Sequence, residues 1–220
     1  YQTSIDVFDL HGMNYQETTY DQVHQQYPNR KIFGSENGGS ESNFYEIYRH
    51  QFVAGAFFWT GFDYQGEATW PSVRAGAGRV STCGFPKGNY WVHQSQWQTA
   101  PMVHIGNHWN WSAGSTQTVT VYSNCDTVQL LLNSTSIGSK ATTNATGVYH
   151  LTWSVPYAAG TLKAVGKKAG ATVAADSVKT TGAAAAIKLT ADRNRINDDG
   201  EDISFVTVEV VDAGGLTVPT

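Results

Sequence analysis

The sequence predicts an α/β segment followed by all-β segments, and three observations predict it. In the first hundred or so residues, short apolar runs alternate with stretches whose apolar residues recur every three or four positions. That is the pattern of strands joined by helical crossovers in a parallel sheet. From about Met102 the chain changes to short runs rich in Val, Thr and Leu, bounded by turn residues at intervals of roughly ten. Charged residues are only 15% of the 220, against 12% aromatic, so there is enough apolar side chain to bury a core and disorder is excluded.

Ser4–Tyr15 opens with alternating apolar residues and closes on Gly12 and a polar-aromatic pair, as a strand entering a loop does. Tyr20, Val23, His24 and Tyr27 follow at helical spacing until Pro28, because the residue before a proline avoids the helical region. Lys31–Gly34 reads as a buried parallel strand that empties into Ser35-Glu36-Asn37 and Gly38-Gly39. Ser40 can cap a helix whose apolar side is Phe44, Ile47, Tyr48 and Phe52. Phe52–Trp59 lacks alternation, which predicts a strand covered on both faces. Three such strands leave one side of a parallel sheet unclosed, so more of the sheet or barrel is expected upstream of Tyr1.

Residues 61–101 mix glycines, prolines and aromatics, the composition of functional loops, and end in a short helix over Asn89–Trp97. Strands are then expected at Met102–Trp109, Thr118–Ser123, Val128–Leu132, Val148–Val155, Gly160–Lys168 and Thr172–Lys179, the last two joined through Ala169-Gly170. Together they predict an immunoglobulin-like sandwich. Gly182–Ala186 reads as a linker, after which Ile187–Ala191 and Ile203–Val211 begin a second sandwich that two strands cannot complete.

A net charge of −4 gives no electrostatic footprint for nucleic acid or an anionic membrane, and no apolar run is long enough to span one. Neither partner is expected. Cys83 and Cys125 are too few for a disulfide framework and are read as buried thiols. The seven histidines share no ligand spacing except His104 and His108, which fall in an expected strand. Asp198-Asp199-Gly200 with Glu201 and Asp202 reads as a hairpin turn and lacks a full calcium-loop pattern. Three glycosylation sequons, at Asn110, Asn133 and Asn144, point toward a secreted eukaryotic protein, and the compartment is left open with secreted or periplasmic favoured over cytoplasmic.

Glu36 is the candidate reactive group, because side chains at the carboxyl ends of parallel strands are where such groups sit. A surface turn residue or a helix N-cap is the other reading of the same segment. Several spaced motifs then agree in order: Ser35-Glu36-Asn37, Phe58-Trp59-Thr60-Gly61-Phe62-Asp63-Tyr64-Gln65-Gly66-Glu67, Trp70-Pro71, Gly84-Phe85-Pro86-Lys87 and Gln94-Ser95-Gln96-Trp97. They resemble glycoside hydrolase family 2, in particular its β-galactosidase-like members. Asn124 to Asn133, Trp153 to Ala164 and Asp192 to Asp202 are similar to the β-domains appended to such enzymes.

The resemblance implies that residues 1–101 form strands six to eight of a (β/α)8 TIM barrel, 102–182 the sandwich, and 183–220 the beginning of another. It implies a retaining exo-β-glycosidase, a β-galactosidase, with Glu36 as nucleophile. Polar neighbours, namely Ser35, Asn37 and the Gly38 and Gly39 amides, are expected to favour its charged form. Trp59 is expected to stack on a pyranose or to pack in the core, and Tyr15 with Asn14 to contact the nucleophile or to cap a turn. Asp63 and Glu67 are expected either to bind sugar hydroxyls or to order their loop. Lys87 reads as a sugar ligand or a solvated turn lysine.

The acid/base of the family is a Glu after an Asn, and no Asn-Glu pair occurs here. The partner carboxylate is therefore expected on an upstream barrel segment of the same protein, and this stretch alone is expected to be inactive. Ser81 also departs from an Asp common in the family. The partner implied is a carbohydrate substrate. No cofactor is implied, and both a divalent cation and self-association are left open. The competing reading is a non-catalytic carbohydrate-binding or adhesion module.

Overall fold

The computed structural model describes residues 7–143 and 147–219. Three strands, β1 (His11–Asn14), β2 (Ile32–Asn37) and β3 (Val53–Phe58), form a parallel sheet in the order β1-β2-β3. A single 3-10 turn (Glu17–Thr19) and helix α1 (Tyr20–Gln26) connect β1 to β2, and α2 (Glu41–Tyr48) connects β2 to β3. Met13, Tyr20 and Ile32 are buried between sheet and helices, with Val23, Ile47, Phe52 and Val53 packed around them. Ser40 caps α2 by accepting from the Asn43 amide at 3.1 Å.

The first strand is shorter than Ser4–Tyr15, and residues 4–6 of that reading lie outside the described residues. The expectation that Phe52–Trp59 is covered on both faces is corrected. β3 is an edge strand of the described sheet, and Phe57, 67% exposed, meets only the edge of Phe33 on its open side. Its continuous apolar run reflects a second face that nothing among the described residues covers.

A two-stranded hairpin, β4 (Tyr64–Gln65) with β5 (Arg74–Ala75), rises from the loop-rich segment, which ends in α3 (Gly88–Trp97). The next strands are β6 (Val103–Ile105), β7 (Thr116–Ser123), β8 (Thr127–Leu132), β9 (Thr135–Ala141), β10 (His150–Pro156), β11 (Thr161–Lys168) and β12 (Ala171–Lys179). They form two antiparallel sheets, β10-β7-β6 and β12-β11-β8-β9. Alternate residues of both sheets, among them Val119, Val121, Val128, Leu130, Trp153, Val155 and Leu162, meet in one core.

The β11–β12 turn is Ala169-Gly170, both at positive φ, as the sequence indicates. Strand β9 has no counterpart in the sequence reading. It is a largely exposed edge strand, TSIGSKA, with a single apolar residue, Ile137, facing the core, and is tied to β8 by the two-residue turn Asn133-Ser134 at positive φ. The expected strand Met102–Trp109 shrinks to three residues because Trp109 leaves the sheet to donate its indole N–H to the Ala158 carbonyl at 3.0 Å. Finally β13 (Ala184–Ala191) and β14 (Val206–Asp212) pair as an antiparallel hairpin whose Ile187, Leu189, Val206 and Val208 are exposed.

The α/β part and the first antiparallel sheet are packed together. Phe44, Val92 and Tyr149 share a buried cluster, and the Glu41 carboxylate accepts the Tyr149 amide at 2.7 Å and faces the His150 imidazole at 2.6 Å. Leu130 is fully buried between the two sheets. Leu130→Ala is expected to lower the unfolding free energy by about 2–5 kcal/mol through lost burial and a residual cavity. Val173→Ala on the exposed edge should change it by no more than about 0.5 kcal/mol. Urea denaturation of both variants checks the contrast.

Candidate functional site

The carboxyl ends of the three parallel strands are fastened to one another by their backbones. The Tyr15 amide donates to the Glu36 carbonyl at 2.7 Å, and the Trp59 amide donates to the Asn37 carbonyl at 3.0 Å. Tyr15, Glu36 and Trp59 therefore stand side by side at one edge of the sheet. Tyr15 has φ +50, a left-handed conformation rare for a bulky residue, which turns the chain sharply after β1.

Glu36 is half-buried, and the Tyr15 hydroxyl donates a hydrogen bond to its carboxylate. That bond, then burial, then the negative charges of Glu36 and Glu17, push the Tyr15 phenol up to about 12. Trp59 is 40% exposed and meets Tyr64 edge-to-face with ring centroids 5.8 Å apart. Tyr64 in turn donates to the Glu67 carboxylate, which raises the Tyr64 phenol. Glu67 thus adjoins the Trp59 side of the site through one tyrosine. Asn14 accepts from the Ser35 hydroxyl at 3.4 Å beside the β1–β2 register shift.

The expected support for Glu36 is corrected in its details. Asn37 is fully buried and turned away, donating its amide to Glu17 at 3.0 Å and to the Tyr20 hydroxyl at 3.1 Å. The Gly38 amide also goes to Glu17, at 2.9 Å, and Ser35 is spent on Asn14. Glu17 is the organising group that sequence reading missed. Burial alone would raise its carboxyl, but hydrogen bonds from Asn43, from its own backbone amide, from Asn37 and from Gly38 outweigh this and hold it below its ordinary value. The only signal in the sequence is its place two residues past a strand end.

Asp63 and Lys87 also resolve. Asp63 is buried, accepts the Gly78 amide at 2.9 Å and the Lys87 ammonium at 2.8 Å, and lies 3.7 Å from Arg74. Lys87, then the Gly78 amide and Arg74, hold its carboxyl low against burial. The Asp63 carboxylate therefore orders the 61–87 loops, and Lys87, partly exposed, is also engaged by the Gly76 carbonyl at 2.7 Å. Arg79, another residue missed, is buried beneath the Trp59 loop with its face over Phe58, 5.3 Å from the ring centre.

Other expectations fall away from the site. Cys125 is buried but Cys83 is exposed, because it sits in the Ser81–Gly84 turn. His104 lies beside Asp176 and stacks on Trp91 while His108 stacks on Trp111, so the pair does not converge. The Asp199 carboxylate caps the Glu201 and Asp202 amides of its own turn. Among the described residues no cluster of three or more metal-ligating side chains is found, and no helix of the described residues is long and apolar enough to cross a membrane. Asn110 and Asn133 are hydrogen-bonded within the β-segment, and Asn144 lies outside the described residues.

Residues 114–174 match a family model described as a domain of unknown function (DUF4982). A β-galactosidase of Bacteroides ovatus is 38% identical over 174 residues, covering 77% of this chain and 20% of that protein. A β-glucuronidase of Formosa agariphila is 33% identical over 149 residues, covering 67% of this chain and 15% of that protein. A crystal structure of a glycosyl hydrolase family 2 member from Bacteroides cellulosilyticus superposes with a TM-score of 0.87 at 31% identity, over 95% of this chain and 32% of that one.

Fold and relatives together place the stretch among the glycoside hydrolases. The family to which it belongs is glycoside hydrolase family 2. The chain spans about a fifth of the length of the curated relatives it matches.

Glu17 yields a signed prediction. Its folded-state carboxyl lies below the ordinary 4.5, so its stabilising contribution is present above that value and is lost as pH falls through the folded pKa. Glu17→Ala strands the Asn37 and Gly38 donors and is expected to lower stability at pH 7 by about 2–4 kcal/mol. Urea titrations at pH 7 and at pH 3 should show the gap between wild type and variant closing in acid.

Proposed function

We propose that residues 1–101 are the last three β/α units of a (β/α)8 barrel, that 102–182 form an immunoglobulin-like sandwich and that 183–220 begin another. In this reading the stretch carries the nucleophile of a retaining exo-β-glycosidase that removes terminal β-linked galactose. The observation that carries it is Glu36 itself. It is a half-buried carboxylate at the carboxyl end of the central strand, bonded to a tyrosine hydroxyl and flanked by an accessible Trp, while the neighbouring donors are engaged elsewhere.

A glycosidase of this class works by double displacement. Glu36 attacks the anomeric carbon, the glycosidic bond breaks, and the leaving oxygen takes a proton from a second carboxylic acid. Water, deprotonated by that same group, then releases the sugar from the glycosyl-enzyme. The second carboxylate is supplied from outside this chain, since Glu17 and Asp63 are committed to structure and Glu67 is held by Tyr64. The Tyr15 hydroxyl aims one oxygen of Glu36 so that the other faces the sugar, with Asn14 and Ser35 bracing the adjacent strand end. The Trp59 indole offers a flat apolar face to the pyranose.

Galactose as the sugar rests on the motif resemblance and on the relative named a β-galactosidase. A binding or adhesion module needs no carboxylate at a strand end, and the construction around Glu36 weighs against that reading. In the full-length protein, Glu36→Gln is expected to reduce kcat on an aryl β-galactoside by at least about 10³-fold, the scale of removing a covalent nucleophile. Wild-type turnover in that variant would reject the assignment. The same change should bring the Tyr15 phenol down from about 12 toward its ordinary 10.0. Ultraviolet titration of tyrosinate, with Tyr15→Phe to identify the transition, measures this.

A further inference from the structure

The outer face of the sheet β10-β7-β6 carries a row of side chains that the candidate site does not use. Val103, Ile105, Val121 and Leu151 face the sandwich core, so the alternate residues His104, Tyr122 and His150 face the α/β segment. They stand directly across from one another, with His104 and His150 each opposite Tyr122 on the central strand. Their ring centroids lie 6.5 and 6.2 Å from that of Tyr122. Two imidazoles thus flank one phenol along the seam where α2 and α3 meet the sheet.

Each end of the row is closed by a carboxylate. His150 Nδ1 is 2.6 Å from Glu41 of α2, and the same carboxylate accepts the Tyr149 amide at 2.7 Å. His104 Nδ1 is 3.4 Å from Asp176 of β12, and its ring is stacked on Trp91 of α3 with centroids 3.6 Å apart. The two contacts with the α/β segment, Glu41 on His150 and Trp91 on His104, both strengthen when the imidazole is charged, the first as an ion pair and the second as a cation–π contact. The other titratable groups facing the row keep their charge near neutrality. Burial and then Glu41 raise the Tyr122 phenol, and burial, neighbouring tyrosines and Glu41 push Tyr149 up to about 12. Burial alone would raise the Asp176 carboxyl, but His104 and the Ile105 and Ser177 amides hold it below its ordinary value. His93 of α3, behind Phe44, is pushed down to about 4 by burial and the charge of Arg79.

We infer that the His104–Tyr122–His150 row is a proton-linked clamp, which seats the sandwich more firmly on the α/β segment in mild acid than in mild alkali. Histidine is the side chain that ordinarily changes charge between about pH 5 and 8. On unseating, His150 loses Glu41 and His104 loses Trp91, while Asp176 stays with His104 on the sandwich. The seated state therefore binds protons more tightly, and by linkage the seating strengthens as pH falls. The clamp acts through α2, which begins beyond the Gly38-Gly39 bend after Glu36, and it does not depend on what Glu36 does.

The test is hydrogen–deuterium exchange of the full-length protein at about pH 8 and about pH 5.5, corrected for the intrinsic pH dependence of amide exchange. In the peptide carrying the Tyr149 amide, protection is expected to rise about fivefold to twentyfold at the lower pH, the worth of two partly exposed charge contacts. A peptide carrying Leu130, inside the sandwich, should show no such rise. His104→Gln combined with His150→Gln keeps polar side chains that cannot titrate, and is expected to abolish the effect. Glu41→Gln leaves both imidazoles and an acceptor for the Tyr149 amide, and is expected to cut the rise at least about twofold. A rise that is absent from the wild type, matched at Leu130, or undiminished in the double variant overturns the clamp. If the double variant does not fold, Glu41→Gln decides: a smaller rise supports the clamp and an equal one overturns it.

Discussion

The Asn37 side chain sits fully buried at the end of β2, between a carboxylate and a phenol, and the position of everything around Glu36 follows from it. Its amide can donate to Glu17 and Tyr20 only if its side chain turns under the sheet, and the next glycine amide closes the same carboxylate from the other side. A register shift between Gly34 and Asn37 interrupts the alternation of β2, so Asn37 turns to the buried side that Gly34 also faces and Glu36 is left half-buried beside it. Gly34 is part of the same constraint, since a Cβ there would fall 2.0 Å from the Asn37 side-chain oxygen. The aim of the proposed nucleophile is thus set by neighbours that never touch it.

Three buried or half-buried carboxylates near these strand ends are kept apart in role by what each accepts. Glu17 takes hydrogen bonds from Asn43, Asn37 and the Gly38 amide and becomes a fixed strut. Asp63 gathers an amide, a lysine and an arginine, and so converts a glycine-rich segment into ordered loops. Glu36 receives only the Tyr15 hydroxyl among the hydrogen bonds described, leaving lone pairs turned to the open side of the sheet. Hydrogen bonds to a carboxylate reduce its nucleophilicity as they stabilise its charge, so this uneven distribution suits one reactive group among structural ones.

The strands and helices that carry the site were readable because their signals are local. Apolar spacing marked α1 to α3, unbroken apolar runs marked β2 and β3, and Ala169-Gly170 marked a hairpin. Glu36 itself was readable as the polar residue where an apolar run meets glycines. What escaped is non-local or chemically silent. Strand β9 has a single apolar residue, Ile137, facing the core, and is an edge paired only with β8. Glu17 and Arg79 are ordinary charged residues whose burial depends on contacts about twenty and forty positions away in the chain, with Asn37 and Gly39. The polar neighbours assigned to Glu36 were near it in sequence but are engaged by other residues, Ser35 by Asn14 and both Asn37 and the Gly38 amide by Glu17, across a register shift in β2 that local spacing does not reveal.

The antiparallel sheets bear on the site through α2. That helix begins four residues past Asn37, is capped by Ser40, and presents Glu41 to the Tyr149 amide and His150. Its Phe44 packs edge-to-face on Tyr149 and His93, with ring centroids 5.1 and 5.0 Å away, and stacks toward Phe58. Phe58 in turn precedes Trp59 and lies under Arg79. A rigid body on one side of α2 therefore restrains the bend after Glu36 at one end and the Trp59 loop at the other. Packed aromatic contacts of this kind have few alternative arrangements, so the β-domain contributes geometry to a site in which it places no side chain.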